Sequence, residues 1–310
     1  LVFLFILIFL SILIFFFFHK DDDKKSNTFF WLSKETSILI NNWFMMYFLS
    51  VVLIGTIYPI FLDVVSSQKI SVGPPFYHKL IIPFLVPFLI MMAIGPKLKW
   101  IKSQLEDKIY LISFLIISIL LAYLVLKNFN QNILINTILV SSALYLFFIT
   151  LRDFFIKKYK NISQNIAHFG FSLLILSILF NNLFSSEIIT NLKVGETYEN
   201  LKTKIVFESV EQKKEQNYNS IIANFSISNS NGEEDRFSPE LRIYNQPIIA
   251  TSEADIKTTF MTDKFIVINL VQNQEYFNVR YQVKPFMLWI WLSVILISFG
   301  GVTSFLQNRS

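Results

Sequence analysis

The strongest constraint on this chain is a succession of apolar runs, each long enough to cross a bilayer. About seven are visible, at roughly 1–18, 38–62, 79–96, 109–126, 132–151, 165–184 and 286–306. A hydrocarbon core ~30 Å thick is crossed by about 20 apolar residues in a helix. Lipid offers no hydrogen bonds, so each run must satisfy its own backbone, which a helix does. A soluble chain of 310 residues has no use for such runs, and the composition agrees: 53% hydrophobic, 34 Phe, mean hydropathy +0.51. The expected fold class is a polytopic α-helical membrane protein with about seven transmembrane helices. The first run starts at Leu1 without a basic leader or a small-residue cleavage site, so it reads as a spanning helix rather than a signal peptide.

Charge orients the runs. Loops 19–37, 97–108 and 152–164 are rich in Lys and Arg, whereas the loops between them hold only Lys69, Lys79 and Lys127. The positive-inside rule sends the basic loops to the cytoplasm, or to the matrix of a mitochondrion. Asp21, Asp22 and Asp23 beside Lys24 and Lys25 read as a solvated turn. The orientation puts residues 185–284 on the outer side, and this segment differs in kind. It holds most of the acids, and "KTKIVFESV", "SIIANFSIS", "DKFIVINLV" and "FNVRYQV" alternate with period two, with "NSNGEED" as a turn. The expected division is therefore 1–184, a membrane domain with six helices; 185–284, a small β-rich outer-face domain; and 285–310, a final helix and tail.

The chain has no cysteine, which excludes disulfides, thiolate metal sites and cysteine nucleophiles. It shows no Walker loop, no HExxH and no paired carboxylates. One of its three histidines, His168, lies in "NIAHFGFSLLILSILF", inside a membrane run. An ionisable residue there is costly and marks a functional site. Three readings compete: an imidazole hydrogen-bonded to a neighbouring helix, a proton relay, and an axial ligand of haem iron. Ala167 and Gly170 would let a helix or a flat macrocycle approach. His19 and His78 are badly placed to share an iron with His168, so a second ligand is expected from outside this chain. "SVGPPFYHK" suits a rigid outer loop entering the third helix, with Tyr77 and His78 as candidate contacts. Trp289 and Trp291 in "KPFMLWIWL" read as interface anchors or, alternatively, haem contacts. Glu240 and Arg242 in "PELRIY" read as a locally paired turn.

An ordered set of segments resembles the C-terminal half of the CcmF family of cytochrome c haem lyases: "SKETSILINN", "GTIYP", "ISVGPPFYHK", "GPKLKW", "AHFGFSLLILS", "PELRIY", "TSEADI" and "KPFMLWIWL". Each is weak alone; together, in order, they span nearly the whole chain. The resemblance implies a component of the complex that attaches haem to the CXXCH cysteines of apocytochrome c. It further implies a membrane haem b, with His168 as one of two axial ligands, and transiently bound haem for transfer. The partners implied are the haem chaperone CcmE, CcmH/CcmI-type proteins, apocytochrome c and an N-terminal half of CcmF. The location implied is the bacterial inner membrane, or alternatively the mitochondrial one.

The departures from the family matter. The tryptophan-rich WWD segment is absent, Lys34 stands where arginine is expected, and His78 stands where asparagine is expected. The chain alone should therefore lack a complete attachment site, as a fragment or as one of two chains of a split protein. Two other readings remain open: a transporter or permease component with an outer β domain, and a non-catalytic scaffold.

Overall fold

The computed structural model describes all residues except 1, 19–32, 67–69, 101–107, 129–131, 157–161, 202, 230, 231, 233, 272–274 and 308–310. The acid run at 21–23, His19, Trp31 and much of the basic-loop signal, including Lys20, Lys102, Lys157 and Arg309, lie outside the described residues. Among the described residues there are seven α-helices: α1 (Val2–Phe18), α2 (Lys34–Ser66), α3 (Pro74–Ile94), α4 (Lys108–Leu126), α5 (Ile133–Ile156), α6 (Ile162–Phe184) and α7 (Met287–Gln307). Among the described residues, six helices, α2 to α7, are long and apolar enough to cross a membrane, and α1 is a shorter apolar helix. At 1.5 Å per residue α2 is about 50 Å long, so it outreaches the hydrocarbon core.

The third helix begins earlier than the hydropathy suggests. Gly73 caps α3 in an extended conformation, and Pro74 and Pro75 fill its first positions, where a missing N–H costs nothing. Tyr77 and His78 are therefore helical residues in the first turns of α3, not part of a loop before it. Pro83 and Pro87 lie further along the same helix.

Helix α5 is the most enclosed span, with Ala143, Tyr145, Leu146 and Ile149 in a common core with Phe88 and Leu89 of α3, Leu111 of α4 and Leu176 of α6. Edge-to-face contacts of Phe88 with Phe44, Phe48 and Phe171 link α2, α3 and α6. Tyr47 donates to the Leu80 carbonyl at 2.9 Å, joining α2 to α3. Helices α6 and α7 pack most closely. A Cβ on Gly300 would lie 2.8 Å from the Ala167 nitrogen, and one on Gly170 would lie 3.0 Å from the Ile297 nitrogen. Ala167 and Gly170 thus receive α7. Of the two approaches that their small size allows, a helix or a macrocycle, it is a neighbouring helix that fills the space.

Among the described residues between α6 and α7 lie ten strands: β1 (Ser186–Leu192), β2 (Thr197–Glu199), β3 (Thr203–Lys214), β4 (Tyr218–Asn229), β5 (Glu234–Phe237), β6 (Glu240–Asn245), β7 (Ile248–Glu253), β8 (Asp255–Thr258), β9 (Thr262–Leu270) and β10 (Phe277–Pro285). They form one sheet of order β1-β10-β9-β8 and another of order β2-β3-β4-β6-β7, with β5 beside β4. All pairings are antiparallel. Period-two alternation sends Ile205 and Phe207, Ala223, Phe225 and Ile227, Ile266 and Ile268, and Val279 and Tyr281 into one core between the sheets. Burial in that core pushes the Tyr281 hydroxyl up to about 12. A register shift between Phe207 and Ser209 lets Val210 pack on the same core. "PELRIY" is strand β6 and not a turn, although the local pairing exists: Arg242 Nε donates to Glu240 Oε2 at 2.9 Å.

The two links to the membrane helices are adjacent. Strand β1 follows α6 directly, β10 leads into α7, and they pair from Ser186↔Val283 onward. Asn181 Nδ2 donates to the Pro285 carbonyl at 2.6 Å. Phe286, at φ 63, turns the chain into α7; its N–H bonds the Met261 carbonyl at 2.7 Å and its ring meets Phe180. A non-glycine residue in this region carries about 1–3 kcal/mol of strain, held here by contacts from three directions.

Candidate haem site in the helical bundle

His168 lies nearly two turns into α6, half-buried. Its face of the helix, Gln164, His168 and Phe171, borders a cavity of about 350 Å³. Met45 of α2 and Phe88, Met91 and Met92 of α3 supply thioether and aromatic walls. Lys34, Ser37 and Asn41 at the start of α2 border the same cavity, with Gly95 and Pro96. The cavity is apolar around the imidazole and polar where α2 and α6 begin.

Polar links to α5 fix the rotation of α6. Asn165, one turn before His168, donates from Nδ2 to the Asp153 carbonyl at 3.4 Å. Ser172, one turn after it, lies 3.5 Å from Thr150 Oγ1. With α7 on Ala167 and Gly170 and α5 on Asn165 and Ser172, the cavity is what remains for the histidine face.

Beside this arrangement sits an ion pair that the sequence reading did not weigh. Lys97 Nζ bonds Asp153 Oδ2 at 2.5 Å, with the two side chains only 7% and 12% exposed. The Arg152 guanidinium stands 3.7 Å from the Tyr110 ring centroid and 3.7 Å from Asp153 Oδ1. This group ties the end of α3 to α4 and α5. Its sequence signal was an acid in the last turns of an apolar run; Arg152 and Lys97 had been read only as topology markers.

Among the described residues no cluster of three or more His, Asp or Glu could hold a bare metal ion. One imidazole suffices for haem iron, because the macrocycle supplies the equatorial donors and the protein only axial ones. An apolar chamber with one imidazole and a lysine, amides and a hydroxyl at one end fits a planar amphiphile with carboxylates on one edge. Lys34 is also held by its own surroundings: its N–H bonds the Lys99 carbonyl at 3.0 Å, and its ammonium lies 5.2 Å from the Trp100 ring centroid.

The other candidates lie at the opposite end of the bundle. Tyr77 and His78 border a second cavity, of about 440 Å³, between α3, α5 and α6 on the side of the β strands. Trp289 meets Phe260 edge-on at 5.0 Å, and Trp291 is exposed on α7. These residues are not brought together with His168.

Residues 183–285 match the family model described as the CcmF C-terminal beta-sandwich. Over 294 residues the chain is 28% identical to the cytochrome c-type biogenesis protein CcmF of Pseudomonas fluorescens, covering 89% of this chain and 44% of the relative. It is 24% identical over 290 residues to CcmF of Escherichia coli strain K12, with the same coverage. A solved structure titled cytochrome c heme lyase CcmF superimposes with a TM-score of 0.68 at 20% identity, over 88% of this chain and 46% of that one. The chain spans less than half the length of the curated relatives it matches. Along most of its length the chain is thus similar to the CcmF cytochrome c biogenesis proteins, and residues 183–285 match the model of their C-terminal beta-sandwich.

Proposed function

We propose that this chain is a component of a cytochrome c haem lyase and that His168 is one axial ligand of a membrane haem b. The observation that carries the reading is the pairing of one intramembrane imidazole with an apolar, methionine- and phenylalanine-walled cavity that is polar at one end. Haem, when bound, would supply the iron that accepts and donates an electron. The chain's own groups would do the rest. The imidazole lone pair of His168 would hold the iron axially. Met45, Phe88, Met91, Met92 and Phe171 would exclude water, while Lys34, Asn41 and Gln164 would bond carboxylates at the polar end.

In this reading the second axial ligand comes from an N-terminal CcmF half. Haem for transfer comes from CcmE, and its acceptor is the CXXCH motif of apocytochrome c, with CcmH/CcmI-type proteins as further partners. The location is a bacterial inner membrane, with the mitochondrial inner membrane as the alternative. The ordered motifs and the similarity to cytochrome c biogenesis proteins support the lyase role. In the same reading Tyr77, His78, Trp289 and Trp291 contact haem or apocytochrome on the β-domain side.

The test is spectroscopic. The chain co-produced with its N-terminal half should show a b-type spectrum in purified complexes, and His168→Ala should abolish it while the complex still assembles. A haem-replete wild-type complex without a Soret band, or an unchanged low-spin signal in the variant, rejects the assignment.

A further inference from the structure

The second cavity, bordered by Tyr77 and His78, lies at the opposite end of the bundle from His168. Its floor is apolar: Ile82, Leu85, Leu139, Val140, Leu179 and Leu183, from the first turns of α3 and α5 and the last turns of α6. Its rim carries His78, Asn182 and Lys284. His78 and Asn182 are exposed and Lys284 is half-buried. Among the described residues Lys284 makes no ion pair. Glu187 takes its hydrogen bonds from Gln282 and Arg280, which, with the charges of Arg280 and Lys284, hold that carboxyl below its usual range. Asp263 lies opposite Lys284 in the strand register without closing a salt bridge. The cavity opens where three spanning helices end and the β-sandwich begins, which is headgroup depth in the adjacent leaflet.

We infer that this cavity binds one anionic phospholipid from the leaflet on the β-domain side. The phosphate would sit between the Lys284 ammonium, the His78 imidazole and the Asn182 amide. The first methylenes of an acyl chain would lie on Leu139, Val140 and Leu179. Charge complementarity selects an anion: the rim offers a cation and N–H donors, and the Glu187 carboxylate is bonded to Gln282 and Arg280. The apolar floor selects an amphiphile over a free anion. About 440 Å³ suits a headgroup with the start of one chain. The rim groups stand at the edge of the chamber, as headgroup contacts should, whereas a tetrapyrrole needs its imidazole facing the centre of a slot.

The test is native mass spectrometry of the full chain, purified from membranes in detergent, stripped of lipid and titrated with phosphatidylglycerol or phosphatidylcholine. One phosphatidylglycerol per chain should be retained in preference to phosphatidylcholine. Lys284→Gln should lower its occupancy by about fivefold, the usual effect of one cation near an anionic headgroup. His78→Gln should lower it further, and Asn182→Lys should raise it. Lys213→Gln, on the exposed sandwich surface, should change nothing. Equal retention of the two lipids overturns the inference, as does indifference to the rim substitutions, binding of inorganic phosphate alone, or displacement of the lipid by haemin. Loss of haem from the His168 site would leave these outcomes untouched, so the two readings fail separately.

Discussion

Asp153 concentrates the electrostatics of the bundle in one side chain. It takes Lys97 at 2.5 Å, faces Arg152 at 3.7 Å, and leaves Oδ1 without a hydrogen bond. A buried pair contributes little when compared with an apolar replacement, but removing one partner strands the other charge. Asp153→Leu should therefore destabilise the protein by about 3 kcal/mol. Adding Lys97→Met should restore most of that loss, which thermal unfolding of the detergent-solubilised chain would measure. Equal losses in the single and double variants would show that packing, not the stranded ammonium, sets the cost. His168 stood out in the sequence as a candidate because an imidazole inside an apolar run is costly. Asp153 was not, because an acid near the end of a run can equally well reach water; only the packing of α3 and α5 buries it.

At the scale of elements, two contacts hold the design together. Helices α6 and α7 meet where Gly300 faces Ala167, with no room for a methyl group. Gly300→Ala should cost about 1–3 kcal/mol through overpacking. Gly301→Ala meets nothing within 4 Å and should be neutral or gain up to about 1 kcal/mol from helix propensity. Melting temperatures of the two variants decide the matter, and a reversed order contradicts the packing. The sequence showed small residues beside the histidine but not the direction in which they face; Ala167 and Gly170 point at α7, on a different face of α6 from the cavity-lining Gln164, His168 and Phe171. In the sandwich, Asp235 of β5 bonds Lys264 of β9 at 2.6 Å and lies 3.6 Å from Lys257 of β8, bridging the two sheets. The bond from Lys264 holds the Asp235 carboxyl below its usual value of 3.8. The sign follows: the bridge stabilises above that value and is lost as pH falls through the lower folded-state value. An Asp235→Asn chain should lack this acid-induced loss, amounting to less than about 1 kcal/mol for a partly exposed pair. Unfolding monitored at pH 7 and pH 3 would reveal it, and an identical pH response in the variant would contradict the bridge.

For the whole molecule, the spans and the strands were readable for the same reason: each obeys a period that one environment imposes. Lipid demands an unbroken apolar length, and a half-buried sheet demands alternation, as "SIIANFSIS" and "DKFIVINLV" show in β4 and β9. Where two environments meet, the reading slipped. Pro74 and Pro75 looked like loop punctuation yet start α3, and "PELRIY" looked like a turn yet is a strand held between β4 and β7. The junction at Phe286 has a mechanical consequence. The sandwich hangs from two stalks that are zipped together by β1 and β10 and pinned by Asn181 and Met261. A protein tugging on that outer lobe cannot tilt one stalk alone; torque passes into α6 and α7 together, and the imidazole-bearing rod swings with its twin.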